Sequence, residues 1–100
     1  MHYILLVELE SIGFTTCKIQ GLLAEEIQTF ENVVKDLGLP SNNQNQDVYE
    51  VDTQGVRILN ILGSADYGYR VCSQSMVIEN SKIGGRTIQV QKSMWTLSHE

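Results

Sequence analysis

The chain has 100 residues, 42% of them hydrophobic and 19% charged, which is the composition of one water-soluble globular domain with no room for a second core. One Pro, eight Gly and the lack of any biased tract exclude collagen-like, mucin-like and wholly disordered chains. Seven basic against twelve acidic residues leave a net charge of -5, which argues against a nucleic-acid backbone as the main partner, because basic side chains drive that binding.

The charge is unevenly spread. Up to Asp52 two basic residues stand against nine acidic ones, a balance of -7, whereas after it five stand against three, a balance of +2. If folding keeps the two halves apart, the gradient provides head-to-tail complementarity between subunits. The apolar run Ile4-Leu5-Leu6-Val7 is cut off by Glu8 and lacks the basic flank of a secretory signal, and no stretch approaches the roughly 18 apolar residues of a membrane span. A cytoplasmic location is the expectation. Cys17 and Cys72 are too few and too far apart for a disulfide framework or a thiolate zinc site, so both are expected to be small buried residues.

In chain order, residues 2–10 read as a strand, apolar on both parities in the middle and alternating at the end. Ser11-Ile12-Gly13 turns it, and residues 14–19 return as a second strand. In residues 22–37 the positions Leu23, Ile27, Phe30, Val34 and Leu37 recur at spacings of four and three, which predicts one amphipathic helix. Glu25 and Glu26 suit the positive end of its dipole, and Gly38 suits a left-handed cap beyond its last turn. Residues 41–47 read as a polar loop and residues 48–51 as a short strand. Residues 56–62, apolar on both parities, are taken as a central strand after a turn at Asp52-Thr53-Gln54-Gly55. The run 67–79 changes parity between Tyr69 with Val71 and Met76 with Ile78, which predicts a bulge near Ser73-Gln74-Ser75. A turn over residues 80–85 leads to a final strand with Ile88 and Val90 inward.

Candidate chemistry is sparse. Nucleophilic catalysis by Cys or Ser needs a base in hydrogen-bond reach, and the histidines, His2 and His99, stand at opposite ends of the sequence. Only if the first and last strands are neighbours can a Cys–His pair form. No ligand spacing suggests a metal, Gly84-Gly85 leads into a strand where a phosphate loop would lead into a helix, and no cofactor is called for. Tyr67-Gly68-Tyr69-Arg70-Val71 and Ile83-Gly84-Gly85-Arg86-Thr87-Ile88-Gln89-Val90 resemble two strands of the RNA-recognition-motif family. That fold sets a helix between the two strands, and here only the fourteen residues from Cys72 to Gly85, mostly β-prone, lie between Val71 and Arg86.

The expected architecture is α+β: one amphipathic helix on a mainly antiparallel sheet of five or six strands, similar in order to β-grasp folds, or a small partly open barrel. The leading functional expectation is a non-enzymatic binding or interaction protein acting as a homo-oligomer. The alternatives are a small-ligand or small enzymatic pocket at the open end of the sheet, lined by Arg57, Asn60, Tyr69 and Arg70, and single-stranded RNA binding. A helix of about sixteen residues is about 24 Å long and covers one sheet face, so the other face requires barrel closure or a second copy. The simplest second copy is a two-fold dimer with Met94 and Trp95 near the centre of its interface.

Overall fold

The computed structural model describes residues 1–43 and 48–100. Eight elements follow in order: β1 (His2–Ser11), β2 (Phe14–Gln20), α1 (Ala24–Asp36), β3 (Ser41–Asn43), β4 (Val48–Val51), α2 (Gly55–Leu62), β5 (Arg70–Ile83) and β6 (Arg86–His99). The six strands form one open antiparallel sheet in the order β3-β4-β2-β1-β6-β5. The α+β class with an antiparallel sheet is therefore as expected, with an open sheet in place of a barrel.

Register explains the core. Leu6 stands between Ile19 and Trp95, and Tyr49 and Val51 stand beside Ile19 and Cys17, so these side chains share one face. Both helices lie on that face. Phe30 and Val34 of α1 are fully buried there, Ile27 is partly buried, and the Phe30 ring meets Tyr49 edge-on at 5.6 Å. Glu26 in the first turn of α1 accepts the orphan N–H of Leu23 at 3.0 Å, and Gly38 just past the helix takes φ +69°.

The single-helix expectation is corrected by α2, which replaces the strand read at residues 56–62. Gly55, Ile58 and Leu62 are buried and Leu59 is partly buried, a stripe at helical spacing that the partly β-branched run, apolar on both strand parities, hides in the sequence. What decides the matter is tertiary. The Gly55 N–H donates to Glu8 Oε2 at 2.6 Å, and its α-carbon lies so close to Trp95 that an added Cβ would sit 2.9 Å from the indole. The loop expected over residues 41–47 begins instead with β3, and residues 44–47 lie outside the described residues.

The expected bulge exists, but it falls between Val71 and Ser73, where the register of β5 on β6 slips. The slip lets Val71, Met76 and Ile78 share the helix side of the sheet, which resolves the parity change in the sequence. Tyr67 and Tyr69 precede β5 and pack under α1 and beside β6. The two strands with family resemblance close directly through Gly84-Gly85, both at positive φ (+60° and +80°), with no helix between them. Among the described residues no helix is long and apolar enough to cross a membrane.

Candidate functional site

Two features stand out: a polar cluster where the sheet's first and last residues meet, and a projecting hairpin arm. Antiparallel pairing of β1 with β6 sets His2 opposite His99, so the neighbouring strands that a Cys–His pair would need are present. His99 Nε2 donates to Glu26 Oε2 at 2.9 Å and its Nδ1 donates to the Glu100 carbonyl at 2.9 Å. Two acceptors, one on each ring nitrogen, favour the imidazolium. The His99 pKa is accordingly raised, first by the Glu100 carbonyl and then, against some desolvation, by Glu26.

Burial pushes the Glu26 carboxyl up, but hydrogen bonds from Tyr69, the Leu23 N–H and His99, with the His99 charge, outweigh it and hold the pKa below its ordinary value. The Tyr69 hydroxyl donates to Glu26 Oε1 at 2.7 Å, and burial followed by that carboxylate pushes the phenol well above the usual range. His2 closes the cluster: its Nε2 lies 2.6 Å from the Gly21 carbonyl, and its ring stands 5.5 Å from that of His99.

Such an arrangement pins α1, β1, β6 and the segment before β5 together. Both ring nitrogens of His99 are engaged, so His99 itself offers no free lone pair as a base in this arrangement. Cys72 is exposed at the bulge, which corrects the expectation that both thiols are buried, and its Sγ lies 3.0 Å from Ser98 Oγ. Ser98 and His99 are consecutive in a strand and face opposite sides of the sheet. A cleft of ≈ 710 Å³ beside the cluster is lined by Glu26, Arg70, Cys72, Ser98 and His99 among others.

Of the four sequence-predicted pocket residues, Tyr69 and Arg70 reach this region, Tyr69 buried and Arg70 at the cleft wall. Arg57 and Asn60 are exposed on α2 and do not line the cleft. The sequence marks Glu26 only as a helix-dipole residue and the two histidines only as distant bases, because their meeting needs α1 packed on the sheet, which brings Glu26 to His99, as well as the β1–β6 pairing that sets His2 opposite His99. Among the described residues no group of three or more His, Cys, Asp or Glu side chains is placed to hold a metal ion.

The second feature is the β5–β6 hairpin. β1 pairs with β6 only as far as Glu10 opposite Gln91, so residues 79–90 continue as a two-stranded ribbon beyond the rest of the sheet. Met76, Val77 and Ile78 are 55%, 43% and 60% exposed, with Val77 on one side and the other two on the opposite side. The sheet face away from the helices adds Leu5, Val7 and Leu9, partly buried, around a shallow cavity of ≈ 190 Å³ flanked by Lys18 and Lys92. Met94 belongs to this open face and Trp95 to the helix side, where it is partly buried against the core.

Shape records the arm. The chain extends 45 × 28 × 22 Å and exposes 6443 Å². A compact monomer of 11.3 kDa exposes about 5,700 Å².

No protein-family model matches the chain, and no curated protein matches it.

Proposed function

We propose that the protein is a non-enzymatic interaction protein that acts as a homo-oligomer, with the β5–β6 arm and the adjoining open face as its working surface. The observation that carries this reading is the arm itself. A two-stranded ribbon is at best marginally stable in water, and at the base of this one the edge strand β5 exposes Met76 and Ile78 on one face and Val77 on the other. The surface in excess of a compact monomer is about 700 Å² per chain.

Two free cysteines and no disulfide support a reducing, cytoplasmic setting. Against a catalytic reading stands the histidine of the cleft, His99, both of whose ring nitrogens are engaged in hydrogen bonds. Sedimentation at micromolar concentration tests the reading: a multiple of 11.3 kDa is expected, and a strictly monomeric species overturns it.

A further inference from the structure

We infer that the arm assembles edge to edge: β5 pairs antiparallel with β5 of a second copy about a two-fold axis at Val77, joining two sheets into one of twelve strands. It rests on the homo-oligomeric reading and goes beyond it in naming the strand, the register and the symmetry. β5 is a terminal strand of 14 residues, without proline, and its outer backbone edge has no neighbouring strand among the described residues. An edge of that length, carrying exposed apolar residues, is a template for another strand.

The ladder limits which registers are open. A two-residue hairpin closes on a mutually hydrogen-bonded pair, here Ile83 with Arg86, and hydrogen-bonded pairs then alternate along the strands. The odd-numbered residues of the regular part of β5, Val77 among them, therefore direct their backbone groups to β6. Gln74, Met76, Ile78 and Asn80 direct theirs outward. A self-pairing must join outward residues to outward residues, and centring it on Val77 does so, with Met76 opposite Ile78 and Gln74 opposite Asn80.

The same register joins like surfaces. Met76 and Ile78 of both copies form one apolar patch on the helix side, and the two Val77 side chains meet on the other side. The one acid of the strand, Glu79, falls opposite Ser75. Lys82 reaches toward the partner's Arg70 end of β5, but these two bases project from opposite faces, since Lys82 pairs with Thr87 and Arg70 with Ser98. No like charges are set face to face, and a two-fold axis closes the assembly at two copies.

Cross-linking tests the register. In a non-hydrogen-bonded pair the α-carbons lie about 4.5 Å apart, within the range a disulfide spans. In a Cys72→Ser background, Val77→Cys is expected to convert most of the protein to a covalent dimer on mild oxidation. Glu79→Cys in the same background puts the two thiols about 14 Å apart along the strand and should stay uncross-linked. Met76→Pro removes an outward N–H without touching the β6 ladder, so it should shift the sedimenting species to monomer while the far-ultraviolet spectrum keeps its sheet signal.

A dimer that persists in sedimentation while Val77→Cys fails to cross-link, or while Glu79→Cys cross-links equally well, overturns the edge pairing and leaves the homo-oligomer standing. A mass that climbs with concentration without a plateau marks head-to-tail growth and also overturns it. A wild-type monomer overturns both.

Discussion

The two halves of the sheet are built on opposite terms. Around β1, β2 and β4 the inward apolar side chains form one core with residues of both helices, and Leu6, Phe30, Val34, Val51, Ile58 and Leu62 have no exposed surface. Along β5 and the outer part of β6 the strands are longer, the backbone pairing is continuous, and side chains that would serve as core elsewhere stand in water. Backbone hydrogen bonding alone therefore builds a long ribbon, whereas burial decides where the ribbon becomes a core. The covered half holds the fold, and the projecting half is free to make contacts with another molecule.

The sharpest way to break this contrast is to empty the covered half. Phe30→Ala removes a fully buried ring that touches Tyr49 and Tyr67, and should cost about 3–5 kcal/mol, a large part of a stability of about 5–15 kcal/mol. Ile78→Ser in the arm should change the stability of the isolated chain by no more than about 0.5 kcal/mol, because the side chain is exposed. Denaturant melts at high dilution check both, and equal losses would erase the distinction between the halves.

Next in size is the contact that seats α2. Gly55→Ala places a methyl group 2.9 Å from a rigid indole and 3.0 Å from Glu8 Oε2, so helix or ring must shift at a cost of about 1–3 kcal/mol. Trp95→Leu in the same chain should recover part of the loss, which a double-mutant cycle would measure. Additive losses would mean that Trp95 does not set the position of α2.

The polar cluster should reveal itself as a pH dependence. His99 has a raised folded-state pKa, so its contribution is fully present below the ordinary value of 6.5 and is lost as pH rises through the raised value. Glu26 has a lowered one, so its contribution is present above the ordinary 4.5 and is lost as pH falls through the lowered value. The cluster is therefore strongest between pH 4.5 and 6.5. Thermal melts should fall on either side of that window, and His99→Gln should flatten the alkaline side. An unchanged alkaline slope in that variant would assign the titration elsewhere.

The smallest effect is chemical. Cys17 is buried, donates to the Thr53 carbonyl at 3.2 Å, and has its thiol pushed up to about 12 by burial and then by the Glu8 charge. Cys72 is exposed at the bulge. Alkylation of the native chain at neutral pH should label one thiol, with Cys17 reacting only on unfolding; two labels at similar rates would show that the covered half opens readily.

How much of this was legible in the sequence depends on the range of the forces involved. The middle of the α1 stripe, the Gly38 cap and the strand character of residues 2–10 and 86–92 are local matters of spacing and backbone preference, and the structure has each of them, whereas Leu23 and Leu37 flank the helix exposed and the turn expected over residues 80–85 narrows to Gly84-Gly85 as β5 runs on to Ile83. The parity change after Val71 announced a bulge, and only its position slipped, to Cys72. Residues 56–62 went the other way. Five apolar, partly β-branched residues suit a buried strand or a short helix equally well, and the close seat of Gly55 between Glu8 and Trp95 selects the helix. The cluster of Glu26, Tyr69, His99 and His2 was out of reach for a similar reason, as was the exposure of Cys72. Sequence alone determined the class, the main helix and most strands, because periodicity and turn chemistry act over a few residues. Tertiary structure decided which strands lie side by side, which face the two helices share and which strand is left at the edge, because those depend on contacts between residues dozens of positions apart.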